Sequence, residues 1–351
     1  MITKNYATTQ DAEQAFYRAF EYVDLGEMMR PYRAPWWLPG GHLQTLYPYF
    51  LLKRRAPPYR RERWETPDHD FIDLDWMDGG GDAAALVALF HGLEGRSDSH
   101  YATALMHAAV RRHWRGVVVH FRGCSGEPNR LPRAYHSGDA DEIAWILQRL
   151  RELNPATPLF AAGVSLGGNA LLKWLGRDQA AARAIIDAAA AVSAPMDLMT
   201  AGDLLGSGVN RLYGRHFLQT LKPKSLAKLQ HFPALFDAEV VRKARTLREF
   251  DNVVTAPLHG YLDTDDYWRR ASSKPDLGSI AVPTLIVHAR NDPFLPGRHL
   301  PTQSEVSASV TLDYPQCGGH AGFASGTFPG HLDWMPERLL AFFSAKVTKT
   351  R

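Results

Sequence analysis

The sequence predicts a doubly wound α/β fold, a mostly parallel sheet covered by helices on both faces. Two observations carry that expectation. From residue 84 onward, short apolar runs recur at Ala84–Phe90, Gly116–Phe121, Pro158–Val164, Ala184–Val192, Pro283–His288 and Val310–Tyr314. Strands buried on both faces read this way, because none of their residues meets water. Helix-length stretches lie between the runs, near Ser99–Arg112, Asp139–Leu153, Gly168–Leu175 and Met335–Ser344. Strand–helix alternation of this kind builds a parallel sheet. The 351 residues suffice for one large α/β domain with an insertion.

In chain order, residues 1–30 are mildly amphipathic. Ala15, Phe16, Ala19, Phe20 and Val23 recur at helical spacing and predict a short helix. Residues 31–50, PYRAPWWLPGGHLQTLYPYF, are rich in Pro, Gly and aromatics and read as an irregular segment that packs by its rings. Ile72, Leu74 and Trp76 then alternate with Asp73 and Asp75, the period of a half-exposed strand, with Arg61–Thr66 as its antiparallel partner. Asp139 with Glu142 resembles a capping pair at the start of a helix. The alternation stops between about 195 and 280, where Leu226–Leu229 and Ala238–Phe250 have helical patterns and no buried-strand run occurs. The expected organisation is therefore an N-terminal segment (1–58), an α/β core (59–194 and 281–351) and a mostly helical cap (195–280).

Composition narrows the function classes. Apolar residues make up 45% and charged residues 22%, as in average globular chains. Lys plus Arg is 40 against 37 for Asp plus Glu, a net charge of +3 and too even for a dedicated nucleic-acid binder. Cys124 and Cys317 are the only cysteines, so no disulfide framework is expected. The longest apolar run, Ala180–Pro195, is interrupted by Arg183 and Asp187, too soon for a membrane span. The N-terminus lacks an apolar signal core. A cytoplasmic location is the default expectation, with peripheral membrane contact left open. No zinc-spaced Cys/His cluster, Walker loop or Gly-x-Gly-x-x-Gly string occurs, so no metal or nucleotide cofactor is expected.

The chemistry centres on Gly163-Val164-Ser165-Leu166-Gly167, followed by Gly168. As a bare string it would arise by chance about 0.1 times in a chain this long. Its placement gives it weight: it follows the apolar run PLFAAGV and precedes the helical stretch NALLKWL. A tight strand-to-helix turn needs glycines flanking the serine and lifts its hydroxyl clear of the sheet. A helix N-cap is the plainer reading of the same serine.

A serine hydroxyl needs a base, and the base needs a carboxylate to orient it. Asp292, in HARNDPFLP, follows one strand run. His320, in QCGGHAGF, follows the last. The order Ser165, Asp292, His320 suits a nucleophile, acid and base on such a sheet. His91-Gly92-Leu93-Glu94-Gly95 follows the first parallel strand, so the Leu93 and Leu166 amides are the candidate oxyanion donors.

At this point the chain resembles the α/β-hydrolases, and within them the YheT-like branch of hydrolases and esterases. The matching stretches are WWLPGGHLQTLYP, FHGLEGRSDSHY, FRGCSGEPNRLPRAYHSGD, GVSLGGNALLKWLG, FDNVVTAPLHGY, ARNDPF and GGHAGF. They cover most of residues 33–325. The resemblance implies an α/β-hydrolase fold with an eight-stranded sheet and a helical cap. It places nucleophile, acid and base on Ser165, Asp292 and His320, and it implies carboxylic-ester substrates, from short-chain to lipid-derived. An acyltransferase using the same acyl-enzyme, or a non-catalytic binding protein on the same scaffold, stays open.

Other residues have plainer readings. His42, Gln44 and Thr45 suit packing and local hydrogen bonding. Arg122, Gly123, Cys124 and Ser125 follow a strand run near the same sheet edge, and Cys124 reads as a small buried thiol. His100, His107 and His113 lie along one expected helix at spacings that do not make a metal pair. Arg211, Arg215, Lys222, Lys224 and Lys228, among Leu, Phe and Tyr, read as a solvated face or as a cap greeting anionic or lipid-interface substrates.

Overall fold

The computed structural model describes residues 31–52, 55–81 and 84–347. The helix expected around Ala15–Val23 lies outside them. Eight strands form one sheet: β1 (Arg60–Glu65), β2 (Phe71–Met77), β3 (Leu86–Phe90), β4 (Arg115–His120), β5 (Leu159–Val164), β6 (Ala188–Val192), β7 (Thr284–Val287) and β8 (Val310–Asp313). Their order is β1-β2-β4-β3-β5-β6-β7-β8. Strands β3 to β8 run parallel, and β2 is antiparallel to both of its neighbours.

Helices cover both faces. α2 (His100–Arg111) and α10 (Trp334–Val347) lie on one side, α3 (Ala140–Leu153) and α4 (Leu166–Ile185) on the other. Each face buries its own apolar cluster, one around Val87, Leu89 and Val118, the other around Leu86, Phe90 and Val119. Alternate residues of β3 and β4 thus enter opposite clusters, which is why their runs are continuously apolar. Asp139 caps α3 by accepting from the Glu142 N–H.

Between β6 and β7 the chain is helical: α5 (Leu198–Leu205), α6 (Arg211–Lys228), α7 (Ala238–Lys243), α8 (Leu247–Phe250, continuing through a π turn) and α9 (Thr264–Ala271). The pattern over Ala238–Phe250 divides at Ala244, because Thr246 caps a new helix by accepting from the Glu249 N–H.

Four local expectations are corrected. Residues 41–51 are not irregular: Gly41–Leu51 form a helix, α1, with Pro48 inside it. Pro48 deprives the Gln44 carbonyl of its usual donor. That carbonyl lies against residue 322, where a Cβ would approach it to 2.0 Å. Packing on the loop beside the sheet therefore holds a helix that local propensity disfavours. Second, β2 is buried along its whole length rather than half-exposed. Arg61 and Arg63 stand directly opposite Asp75 and Asp73 and make two hydrogen bonds to each, roofing the polar face. Third, Ala184 and Ile185 close α4 rather than open β6: the chain kinks at Gln179, with φ 46°, and the alanine-rich stretch beyond it is helical again. Fourth, α2 ends at Arg111, so His113, with φ 55°, is off the helix that carries His100 and His107.

Candidate active site

The carboxyl ends of β3, β5, β7 and β8 bring four loops to one edge of the sheet. Ser165 sits between β5 and α4 with φ 53° and ψ −121°, a conformation a non-glycine residue adopts only when its surroundings impose it. The space imposes it here. A Cβ on Gly167 would lie 2.4 Å from the Phe90 carbonyl oxygen. The Ser165 N–H donates to the Val192 carbonyl at 2.8 Å, tying the turn to β6.

The structure brings Ser165, His320 and Asp292 into one chain of hydrogen bonds. Ser165 Oγ lies 2.9 Å from His320 Nε2, and His320 Nδ1 lies 2.9 Å from Asp292 Oδ2. Asp292 accepts from Nδ1, so that nitrogen carries the proton and Nε2 is left to accept from the serine hydroxyl. Asp292 is buried and also accepts the Phe294 N–H on Oδ1 at 2.8 Å. Burial pushes its carboxyl up, but the His320 and His288 imidazoles outweigh that and hold it below the usual carboxylate range. The Phe294 ring packs on the His320 ring, centroids 4.1 Å apart.

Residues far away in sequence hold this geometry. Thr45 Oγ1 accepts the His320 N–H at 2.9 Å. Gln44 Oε1 accepts from Gly318 N–H at 2.8 Å and from Asn291 Nδ2 at 2.9 Å, clamping the histidine and aspartate loops together. Ser193 Oγ accepts the Ala321 N–H at 3.0 Å. His288, buried on β7's end, places Nε2 3.3 Å from Asp292 Oδ2. The local-bonding reading of Gln44 and Thr45 understated their reach. His288, Phe294 and Ser193 were missed, and the apolar run through His288 hid its polar partner.

The loop after β3 is fixed bond by bond. His91 Nδ1 donates to the Gly92 carbonyl at 2.7 Å, and its Nε2 accepts the Phe121 N–H at 3.1 Å. Burial pushes this imidazole down to about 3, so it stays neutral in that tautomer. The Gly92 N–H donates to Tyr101 Oη, the Glu94 N–H to Tyr135 Oη, and the Gly95 N–H to the Gly92 carbonyl. Between them the Leu93 N–H has no acceptor among the described residues, and neither has the Leu166 N–H at the start of α4. Glu94, with φ 56°, is pinned further: its carboxylate accepts from Tyr135 Oη at 2.8 Å and pairs with Lys224 of α6 at 2.7 Å.

Ser165, Leu93 and Leu166 line a cavity of about 620 Å³. Its walls include Leu198, Leu205, Phe217, Leu221, Phe250 and Trp268 from the helices between β6 and β7, with Arg122, Asn129 and Lys228 at the polar side. Cys124 also lines it, but burial pushes its thiol up to about 12, and it is no nucleophile at neutral pH. Arg122 is committed to Asp68, Asp70 and Glu142. Lys228 donates to Asn129 Oδ1 and to the Leu131 and Arg133 carbonyls, and burial lowers it to about 8. His100 Nε2 contacts the Ala321 carbonyl at 3.1 Å. Among the described residues no group of three or more His, Cys, Asp or Glu could hold a metal ion. No helix among them is long and apolar enough to cross a membrane.

Known proteins share this arrangement of chain and fold. A family model described as the alpha/beta hydrolase fold matches residues 85–326. YheT of Escherichia coli (strain K12), provisionally named an esterase, is 40% identical over 303 residues, 85% of this chain and 88% of that protein. Phospholipase ABHD3 of Homo sapiens is 31% identical over 320 residues, 89% of this chain and 78% of that protein. Among solved structures, the esterase Est1E from Butyrivibrio proteoclasticus with bound ferulic acid superposes with a TM-score of 0.53 at 15% identity. That match covers 83% of this chain and all of the other.

Proposed function

The chain belongs to the alpha/beta hydrolase fold family and is a carboxylic ester hydrolase, and we propose that it works through an acyl-enzyme on Ser165. His320 Nε2 takes the hydroxyl proton as Ser165 Oγ attacks the ester carbonyl. Negative charge gathers on the former carbonyl oxygen, where the Leu93 and Leu166 amides receive it. Asp292 keeps the His320 tautomer and stabilises the imidazolium that forms. The imidazolium returns its proton to the leaving alcohol. Water then enters, gives its proton to His320 and releases the acid by the same route.

One observation carries this reading: the Ser165–His320–Asp292 chain of hydrogen bonds ends at a serine on the wall of a cavity that Leu93 and Leu166, whose amides have no acceptor among the described residues, also line. The apolar walls favour esters with an aliphatic or aromatic acyl chain over highly polar ones. The test uses an activated aryl ester and a fluorophosphonate probe. Wild type turns over the ester and is labelled at Ser165. Ser165→Ala, still folded by circular dichroism, loses nearly all turnover and all labelling. Wild-type turnover in that variant would sink the assignment.

A further inference from the structure

The charge of this protein is unevenly distributed. Residues 31–61 contain six basic side chains and no acid, and residues 204–236 contain five basic side chains and no acid. Yet the whole chain is nearly balanced, at +3. The structure places these two acid-free segments side by side. His42 Nδ1 meets Tyr213 Oη at 3.1 Å, and Tyr49 Oη meets His216 Nε2 at 3.3 Å, so α1 lies against the first turns of α6.

The face they share is apolar outward. α1 buries Gln44, Thr45 and Pro48 against the histidine loop. Its opposite side exposes Leu43, Leu46 and Phe50, spaced at i, i+3 and i+7. Trp36, 90% exposed, precedes it. Val209 and Leu212 are exposed at the start of α6. Arg211 and Arg215 are exposed on the first turns of α6, Arg33 is exposed three residues before Trp36, and among the described residues no carboxylate pairs with any of them. The cations further along α6 are committed inward: Lys222 to backbone carbonyls, Lys224 to Glu94 and Lys228 to the 129–133 loop.

Exposed large apolar side chains interleaved with unpaired arginines, with no acid among them, form a surface complementary to an anionic lipid–water interface. A water-facing helix would carry its apolar stripe inward. The same elements touch the catalytic loops. Thr45 holds the His320 amide, Asn210 donates to the Pro293 carbonyl at 2.7 Å, and Tyr213 packs its ring on Phe294. We propose that the α1–α6 face docks on anionic lipid surfaces, and that the esters cleaved at Ser165 are drawn from that surface. The docking stands on the face itself. Only the source of the ester rests on the hydrolase reading above.

The experiment uses full-length chain carrying Ser165→Ala. It is sedimented with vesicles of phosphatidylcholine alone and of phosphatidylcholine mixed with phosphatidylglycerol. Binding is expected to the mixed vesicles and to weaken as salt rises. Arg211→Gln with Arg215→Gln lowers affinity for the mixed vesicles roughly 30-fold. Leu43→Ser with Phe50→Ser removes binding to the mixed vesicles. In the otherwise wild-type enzyme, all four substitutions leave turnover of a soluble short-chain ester unchanged but lower turnover of an ester embedded in the mixed vesicles at least tenfold. Absence of vesicle binding by folded, full-length protein overturns the proposal. So does a dimer in solution that Leu43→Ser with Phe50→Ser splits, with no vesicle dependence, since the face would then join two copies. Vesicle binding without any ester turnover by the wild type leaves the docking standing and removes the hydrolase reading instead.

Discussion

Asp292 holds a charge in a position without water, and the reason is local. Two N–H donors, from Phe294 and His320, reach its two oxygens, and the His288 ring, whose Nε2 lies 3.1 Å from the Leu295 carbonyl, stands 3.3 Å away. Its folded-state pKa lies below the ordinary 3.8, so the ionised group contributes stability that is fully present above that value. The contribution fades as pH falls below about 4 and the carboxylate protonates in the folded protein as well. Urea unfolding of wild type and Asp292→Asn should therefore show its widest stability gap near neutral pH and a narrower one near pH 3. The same substitution should lower kcat about 10⁴-fold, because an amide no longer enforces the Nδ1–H tautomer. Cys124 offers a second check at this scale. With its thiol raised to about 12 by burial, it should resist iodoacetamide at pH 8 in folded protein and react once urea exposes it. Peptide mass mapping separates it from Cys317. Ser165, Asp292 and His320 were legible in the sequence as candidates because each sits beside a strand end, and the structure joins them by hydrogen bonds. His288 and Phe294 were not legible, because nothing in an apolar run or a Pro-Phe pair announces a partner across a loop.

At the scale of elements, the turn after β5 tolerates no added carbon. Gly167→Ala would set a Cβ 2.4 Å from one carbonyl oxygen and 2.6 Å from the next, those of Phe90 and His91. Backbone atoms cannot step aside cheaply, so the variant should lose about 3 kcal/mol or fail to fold, read from its urea midpoint. The loop after β3 is held more loosely, by side chains. Tyr135 Oη both accepts the Glu94 N–H and donates to the Glu94 carboxylate. Tyr135→Phe should release that clamp, let the neighbouring Leu93 amide drift, and lower kcat about tenfold with KM little changed. Element identity was only partly legible. The parallel strands announced themselves as unbroken apolar runs, but α1 did not, because its Pro and Gly content argues locally against a helix. β2 shows the reverse problem. Its alternation was correctly seen, yet its aspartates are buried, because Arg61 and Arg63 on the neighbouring strand cover them.

At the scale of the whole molecule, the sheet edge supplies the groups proposed to react, and the helices between β6 and β7 supply apolar walls of the cavity that Ser165 lines. If the proposed ester enters it, the cavity of about 620 Å³ sets a ceiling on acyl-chain size. Across a series of aryl esters with lengthening acyl chains, kcat/KM should rise about fourfold per added methylene, then level or fall once the cavity is filled. A flat series would show that the acyl chain does not enter it. Periodicity, composition and the Gly-x-Ser-x-Gly turn determined the class of fold, the order of the strands' runs and the three residues worth testing, because each of those is written within a few neighbouring residues. The tertiary structure alone decided that α1 clamps a histidine loop some 275 residues away, that two amides stay unpaired beside the serine, and that two acid-free segments share one apolar face. Those facts are contacts between distant parts of the chain. They depend on the packing that closes the molecule, which no local pattern encodes.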